Sequence, residues 1–305
     1  MKRIGAVVVS YNSAADLKKC VESFTSQSSA DLHLETCVID NYSSDKSVVE
    51  ANKLKMCHVI ANDTNTGFSV AVNQGLRYFI DQDFDYYIIL NPDAIMQPGS
   101  VMNMLNAFNS DKDIAAVGPR MLHSDGSDAT DGYYLKAPTL LTVAAFSTFL
   151  RPHALKNSYL VNRYQEQLGD KSQLVEQIPG ACIFTSKEKL ESIGLLSEEF
   201  AIWFEDVEWS YRARKKGYKL LFDVESSVVH DGGVSFSKWN DLNKAVTFYV
   251  SMKTFFRIHK PISYPFVVLT IMLNSFALFV KNKDRSNLEF IKRFMRLKKG
   301  VLPKN

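Results

Sequence analysis

Four short apolar runs, residues 4–10, 36–39, 57–61 and 86–90, each stop at a polar cluster, and the segments between them repeat apolar residues at helical spacing. Leu17, Val21 and Phe24 follow the first run, and Val72, Leu76 and Phe79 follow the third, each set on one face of a helix. This alternation predicts an α/β chain whose strands form a mainly parallel sheet flanked by helices. Open sheets of that kind bind ligands outside the carboxyl ends of their strands, so chemistry is expected at the polar tips. The fourth tip says most. Tyr86-Tyr87-Ile88-Ile89-Leu90 has the aromatic and branched composition of a buried strand, and Pro92 cannot donate to a ladder. Asn91-Pro92-Asp93 therefore ends the strand on one carboxylate. Asp93 has two readings at this point, a turn or helix-cap residue and a ligand-binding group.

The tips also exclude two nucleotide sites. The first turn, Ser10-Tyr11-Asn12-Ser13-Ala14-Ala15, contains no glycine, so a Gly-x-Gly-x-x-Gly dinucleotide turn is absent, and no Gly-x-x-x-x-Gly-Lys-Ser/Thr occurs anywhere. A nucleotide bound here needs another way to neutralise its phosphates, and a divalent cation on Asp93 would serve. Cys20, Cys37, Cys57 and Cys182 form no Cys-x-x-Cys pair and have no histidine at ligand spacing, which predicts reduced core thiols. Lys2 and Arg3 lead straight into a strand-like run, which predicts a cytoplasmic chain with no secretory leader. With 305 residues and 46% hydrophobic composition, one large domain with an appendage is expected.

Residues 121–175 are turn-rich and irregular and read as an excursion over the site, shaping an acceptor pocket or lid. Beyond them, Phe200-Ala201-Ile202-Trp203-Phe204-Glu205-Asp206-Val207-Glu208-Trp209 places two adjacent carboxylates between aromatic clusters, ahead of a helix over 207–216. Burial among rings would raise a carboxyl pKa and improve it as a base, whereas the plain alternative is helix N-terminal capping.

Taken together, seven stretches resemble glycosyltransferase family 2 of the GT-A fold, most closely its rhamnosyltransferase-like bacterial branch. They are Val7-Val8-Val9-Ser10-Tyr11-Asn12, Ile39-Asp40-Asn41-Tyr42-Ser43-Ser44-Asp45, Asn65-Thr66-Gly67-Phe68-Ser69 with Asn73-Gln74-Gly75, Leu90-Asn91-Pro92-Asp93, Pro179-Gly180-Ala181, Phe204-Glu205-Asp206-Val207-Glu208 and His230-Asp231-Gly232-Gly233. The resemblance covers residues 4–235 and implies a transferase domain over 1–235, with 236–305 as a helical, basic, membrane-proximal region. It implies that Ser10, Tyr11, Asn12, Asp40 and Asn41 surround the nucleotide base and ribose, with Gly67, Phe68 and Asn73 alongside. Asp93 would bind Mg2+ or Mn2+, and Asn91, beside the donor, stands where the family's Asp-x-Asp has its first acid. His230 would ligate the metal, touch the diphosphate, or be structural. An inverting transfer needs a base on the acceptor side and a stabilised diphosphate opposite. Asp206 is the expected base and Glu205 its partner, with Gly180, Trp203 and Phe204 towards the acceptor. The implied reaction moves L-rhamnose from dTDP-rhamnose onto a polyprenyl-diphosphate-linked glycan of O-antigen or capsule. A UDP-hexose or galactofuranose donor and a non-catalytic nucleotide-sugar-binding subunit are the alternatives.

The C-terminal stretch has its own signal. Residues 281–305 hold nine Lys or Arg against two acids, so they carry +7 while the whole chain carries +3. Residues 262–280 are nearly all apolar but are interrupted by Pro265 and Asn274 and flanked by cations on both sides. A single span would leave the basic tail on the wrong side, so an interfacial or re-entrant helix is expected, peripheral to the inner face of the cell membrane and drawn to anionic lipid. The alternative is a core helix with a solvated tail. No aromatic-basic platform supports a nucleic-acid partner.

Overall fold

The computed structural model describes residues 1–231, 239–300 and 302 of the chain. The first half alternates strand and helix: β1 (Lys2–Ser10), α1 (Leu17–Thr25), β2 (Leu32–Asp40), α2 (Ser47–Ala51), β3 (Cys57–Ala61), α3 (Phe68–Asp81), β4 (Tyr86–Leu90), β5 (Ile95–Met96), α4 (Ser100–Asn109) and β6 (Ile114–Leu122). Three short helices follow, α5 (Leu140–Phe146), α6 (Arg151–Ala154) and α7 (Ser158–Tyr164), and then β7 (Gln173–Leu174), β8 (Cys182–Ser186), α8 (Lys187–Ile193), α9 (Glu205–Lys215) and β9 (Lys219–Val229). The chain closes on α10 (Asp241–His259), α11 (Tyr264–Asn282) and α12 (Ser286–Arg296).

Among the described residues the sheet runs β3-β2-β1-β4-β8-β6-β9-β5, with β7 on β9. The β3-β2-β1-β4 half is parallel, as the alternation predicts; the apolar runs of β1, β2 and β4 are buried, whereas the run in the edge strand β3 is only half-buried. β8 inserts antiparallel between β4 and β6, which makes the sheet mixed. Gly118-Pro119 reads in sequence as the end of a short strand, yet β6 runs through it to Leu122. Register slips against β9 between Pro119 and Arg120, and an irregularity of that kind is where a strand tolerates proline. Gly118 is needed there because a Cβ would meet the Tyr134 hydroxyl at 2.4 Å.

Among the described residues three apolar clusters result, the smallest being Ala145, Phe146 and Ala154 within α5 and α6. The largest lies between the sheet and its flanking helices. The second joins α10, α11 and α12 through Val246, Val250, Phe255, Val267, Ile271 and Phe294, and it takes in Phe200 and Phe204 from the segment before α9. Four cysteines are free thiols, of which Cys20, Cys37 and Cys182 are buried.

Candidate active site

Two pairings bring distant segments to the β4 tip. β5 pairs antiparallel with β9 at Ile95–Val229, so Asp93, two residues before Ile95, meets His230, one residue after Val229. β4 pairs with β8 at Leu90–Cys182, and the Asn91 N–H donates to the Ala181 carbonyl at 3.0 Å. Gly180 then sits beside the start of α9, and its N–H donates to Asp206 Oδ2 at 2.8 Å. A cavity of about 690 Å³ opens over these ends.

Asp206 is held as an acceptor. Its Oδ1 takes the Val207 N–H at 2.8 Å while Oδ2 takes that of Gly180, and the first turn of a helix adds a field that favours negative charge. Burial raises its pKa, and these N–H donors work against the rise. The adjacent Glu205 is buried, and its Oε2 has no hydrogen-bond partner among the described residues. Burial and the charge of Asp206 push the Glu205 pKa well above the ordinary glutamate range. The two environments differ: Glu205 is the one pushed further towards its protonated form, and backbone N–H donors favour the carboxylate form of Asp206. Neither residue is the N-cap itself, because α9 starts at Glu205 and Phe204 is its N-cap, although Asp206 accepts the first-turn N–H of Val207. Trp203 and Phe204 both have positive φ (60° and 70°), strain that bulky residues tolerate only where surrounding packing imposes it. Phe204 packs edge-on against Phe248, and Trp203 against Trp239 and Phe248.

At the other end, His230 Nε2 lies 3.1 Å from Asp93 Oδ1 and 3.3 Å from Asn91 Nδ2. The Tyr133 hydroxyl donates to the His230 carbonyl at 2.8 Å, so it accepts from Nδ1–H at 3.0 Å. Burial and the charges of Asp93 and Asp231 push the Tyr133 pKa up to about 12, which keeps its proton in place. Nδ1 thus carries the imidazole hydrogen, and Nε2 faces a carboxylate oxygen with a lone pair unless a proton or a cation lies between them. Asp93 Oδ1 and His230 Nε2, 3.1 Å apart, are the two groups that would hold a divalent cation here. One carboxylate and one imidazole fit a divalent cation only with substrate oxygens completing the shell. Among the described residues no group of three or more His, Cys, Asp or Glu could hold a metal ion.

The remaining predicted residues divide by position. Tyr11, Asn41, Gly67, Phe68, Asn91, Asp93, Gly180, Trp203, Phe204, Glu205, Asp206 and His230 all line the cavity. Asn41 also ties down the loop before α3, accepting from the Thr66 N–H at 2.9 Å and donating to Asn65 Oδ1 at 3.0 Å. Gly67 is fixed by a φ of 88° and by the Ala201 carbonyl, which a Cβ would meet at 2.8 Å. Ser10 and Asp40 lie just beneath the lining. Both are buried, and Ser10 Oγ and Asp40 Oδ1 lack hydrogen-bond partners among the described residues. Asn12 and Asn73 do not line the cavity. Asn12 accepts from the Ser44 N–H at 2.8 Å, bracing two loops. Asn73 is buried and bonds Leu196 through both its amide groups (2.9 and 3.1 Å) and Glu198 at 3.0 Å, which is a scaffold position. Gly232 and Gly233 lie outside the described residues.

Several lining residues escape sequence reasoning, among them Tyr133, Lys136, Trp239 and the α10 face of Lys244, Phe248 and Met252. The last three stand at i, i+4 and i+8, a stripe visible in the sequence but overshadowed by the longer apolar face beside it.

Comparison with known proteins agrees with this architecture. A low-salt glycan biosynthesis hexosyltransferase of Haloferax volcanii is 24% identical over 71% of this chain, which spans 63% of that relative's length. The N-acetylglucosaminyl-diphospho-decaprenol L-rhamnosyltransferase of Mycobacterium tuberculosis is 22% identical over 73% of this chain and 74% of its own. Among solved structures, GalNAc-T7 with UDP, GalNAc and Mn2+ superposes with a TM-score of 0.60 at 16% identity, covering 85% of this chain and 48% of that one. S. aureus TarS in complex with UDP-GlcNAc gives 0.55 at 14% identity, covering 97% and 79%. The family model for glycosyl transferase family 2 matches residues 6–174, more than half of the chain and inclusive of Asp93, and this protein belongs to that family.

Proposed function

We propose that the chain is an inverting glycosyltransferase in which Asp206 is the base, and that it transfers L-rhamnose from dTDP-rhamnose to a polyprenyl-diphosphate-linked glycan of a bacterial surface polysaccharide. One observation carries this reading: a single cavity holds Asp206, set on two backbone N–H donors, together with the Asp93–His230 pair. Asp206 takes the proton of the acceptor hydroxyl as that oxygen bonds to the anomeric carbon, while the bond from that carbon to the diphosphate breaks on the opposite face. The environment of Glu205 favours its neutral form, which keeps a second charge away from the base, and the Gly180 N–H fixes the direction of the Asp206 carboxylate. Asp93 and His230 would hold Mg2+ or Mn2+ with the diphosphate, and a bound divalent cation supplies Lewis-acid stabilisation of that leaving group, worth about several kcal/mol.

Tyr11, Asn41, Gly67 and Phe68 flank the base and ribose in this reading. Trp203, Phe204, Trp239 and Phe248 give the acceptor an aromatic wall. The rhamnosyltransferase relative supports the donor sugar and the lipid diphosphate acceptor, and an acceptor of that kind puts the enzyme at the inner leaflet. Thermal shift with dTDP-rhamnose and with UDP-hexoses, with and without Mg2+, tests the donor: a larger metal-dependent shift with dTDP-rhamnose is expected, and a larger shift with a UDP-hexose overturns the donor assignment. Asp206→Asn is expected to keep donor binding and to lose transfer by about 10²–10⁴-fold. Unchanged turnover in that variant removes Asp206 from the mechanism.

A further inference from the structure

α11 is a 19-residue helix long and apolar enough to cross a membrane, yet it is attached to the protein along one side. Val267, Ile271 and Ser275 are buried, whereas Phe266, Leu269, Leu273, Phe276 and Val280 are each 48–58% exposed. The spacing of those five is 3, 4, 3 and 4, one continuous stripe. The polar groups within the helix are satisfied: the Thr270 hydroxyl donates to the Phe266 carbonyl, and Asn274 Oδ1 accepts the Phe149 N–H at 2.9 Å. That last bond joins a second exposed apolar site to the stripe, because Phe149 is 60% exposed and Leu150 beside it is also exposed. Ser147, two residues before Phe149, lines the catalytic cavity.

Cations border this surface. Lys281, Lys283 and Arg285 are exposed at the end of α11, and Lys292, Arg296 and Lys298 are exposed on or just after α12. A spanning orientation is blocked by the return of the chain. Phe290 and Phe294 of α12 are buried against α10, and Lys253 of α10 donates to the carbonyls of Phe294 and of Leu297, the latter at 2.9 Å. Both ends of α11 are therefore held on the same body. Pairing this face with the same face of a second copy would cover the stripe but bring the two basic borders together.

We propose that the α11 stripe, extended by Phe149 and Leu150, is a docking face that lies in the plane of an anionic lipid surface with the basic segment on the headgroups, and that it brings the cavity wall at Ser147 to the membrane. This deepens the lipid-linked acceptor reading and rests on it for its purpose, although the docking face is tested separately. The test is flotation of the full chain with vesicles of phosphatidylglycerol and, separately, of phosphatidylcholine. The wild type is expected to float with phosphatidylglycerol about tenfold or more better than with phosphatidylcholine, and less well as salt is raised. Leu273→Asp with Phe276→Asp, and separately Phe149→Ser in a different element, are expected to weaken flotation about tenfold or more. Both are expected to keep the wild-type circular dichroism melt and the donor thermal shift. Wild type that stays unbound with both lipids, or Phe149→Ser that floats as wild type does, overturns the proposal. So does a dimer in sedimentation velocity that Leu273→Asp with Phe276→Asp dissolves. Flotation without any donor shift leaves this surface standing and sinks the transferase reading instead.

Discussion

Glu205 and Asp206 are neighbours in sequence and differ in what surrounds their oxygens. Asp206 meets two backbone N–H groups, and Glu205 Oε2 meets none. A carboxyl whose pKa is raised on folding binds its proton more tightly in the folded state. Its stabilising contribution is complete below the unfolded value and is lost as pH rises through the folded one. Stability of the wild type should therefore fall as pH climbs above the ordinary glutamate range, and Glu205→Gln should flatten that slope, leaving the smaller part due to Asp206. Melting temperature followed against pH checks this, and a parallel slope in the variant would show that Glu205 is not the group responsible. Transfer by Glu205→Gln should survive to a larger extent than transfer by Asp206→Asn, since only the latter removes the proposed base.

At the scale of elements, α9 is positioned from both sides. Buried Glu208 accepts from Arg212 Nε at 2.9 and 3.0 Å and faces His259 Nε2 of α10 at 2.9 Å. Arg212 also donates to the carbonyls of Ile193, the last residue of α8, and of Leu195 just after it, and Trp209 Nε1 to that of Gly194. One carboxylate thus joins the helix that carries Asp206 to the helix that carries Phe248. Glu208→Gln removes the carboxylate that faces the half-buried Arg212 guanidinium and His259 and is expected to cost about 1–3 kcal/mol in chemical denaturation. The helix spans were largely legible: α3 starts at Phe68 after Gly67, and α8 ends at Gly194, where the sequence signals place them. The start of α9 was not, because nothing local announces two consecutive aromatic residues in left-handed conformation. That geometry follows from the packing of Phe204 against α10.

At the scale of the molecule, the C-terminal helices complete both a core and the cavity of the candidate site. Lys244, Phe248 and Met252 line the cavity, and Phe200, Phe204 and Val143 share the second core with α10 and α11. Removal of residues 241–305 is expected to expose those three side chains and give an aggregating protein in size-exclusion chromatography. A monodisperse product that keeps the donor thermal shift would show that the first 240 residues fold independently.

The sequence by itself determined the strand–helix alternation, the parallel half of the sheet and the polar tips, because periodicity and chain-breaking residues act over a few positions. Tertiary structure decided which tips share a cavity. Asp93 meets His230 through the pairing of β5 with β9, and Asp206 meets Gly180 through β8, contacts between residues separated by 137 and 26 positions that no local pattern encodes. It likewise decided that Asn73 serves the scaffold and that α11 buries one face only. Both outcomes depend on which segments pack nearby, which the apolar character of a run leaves open.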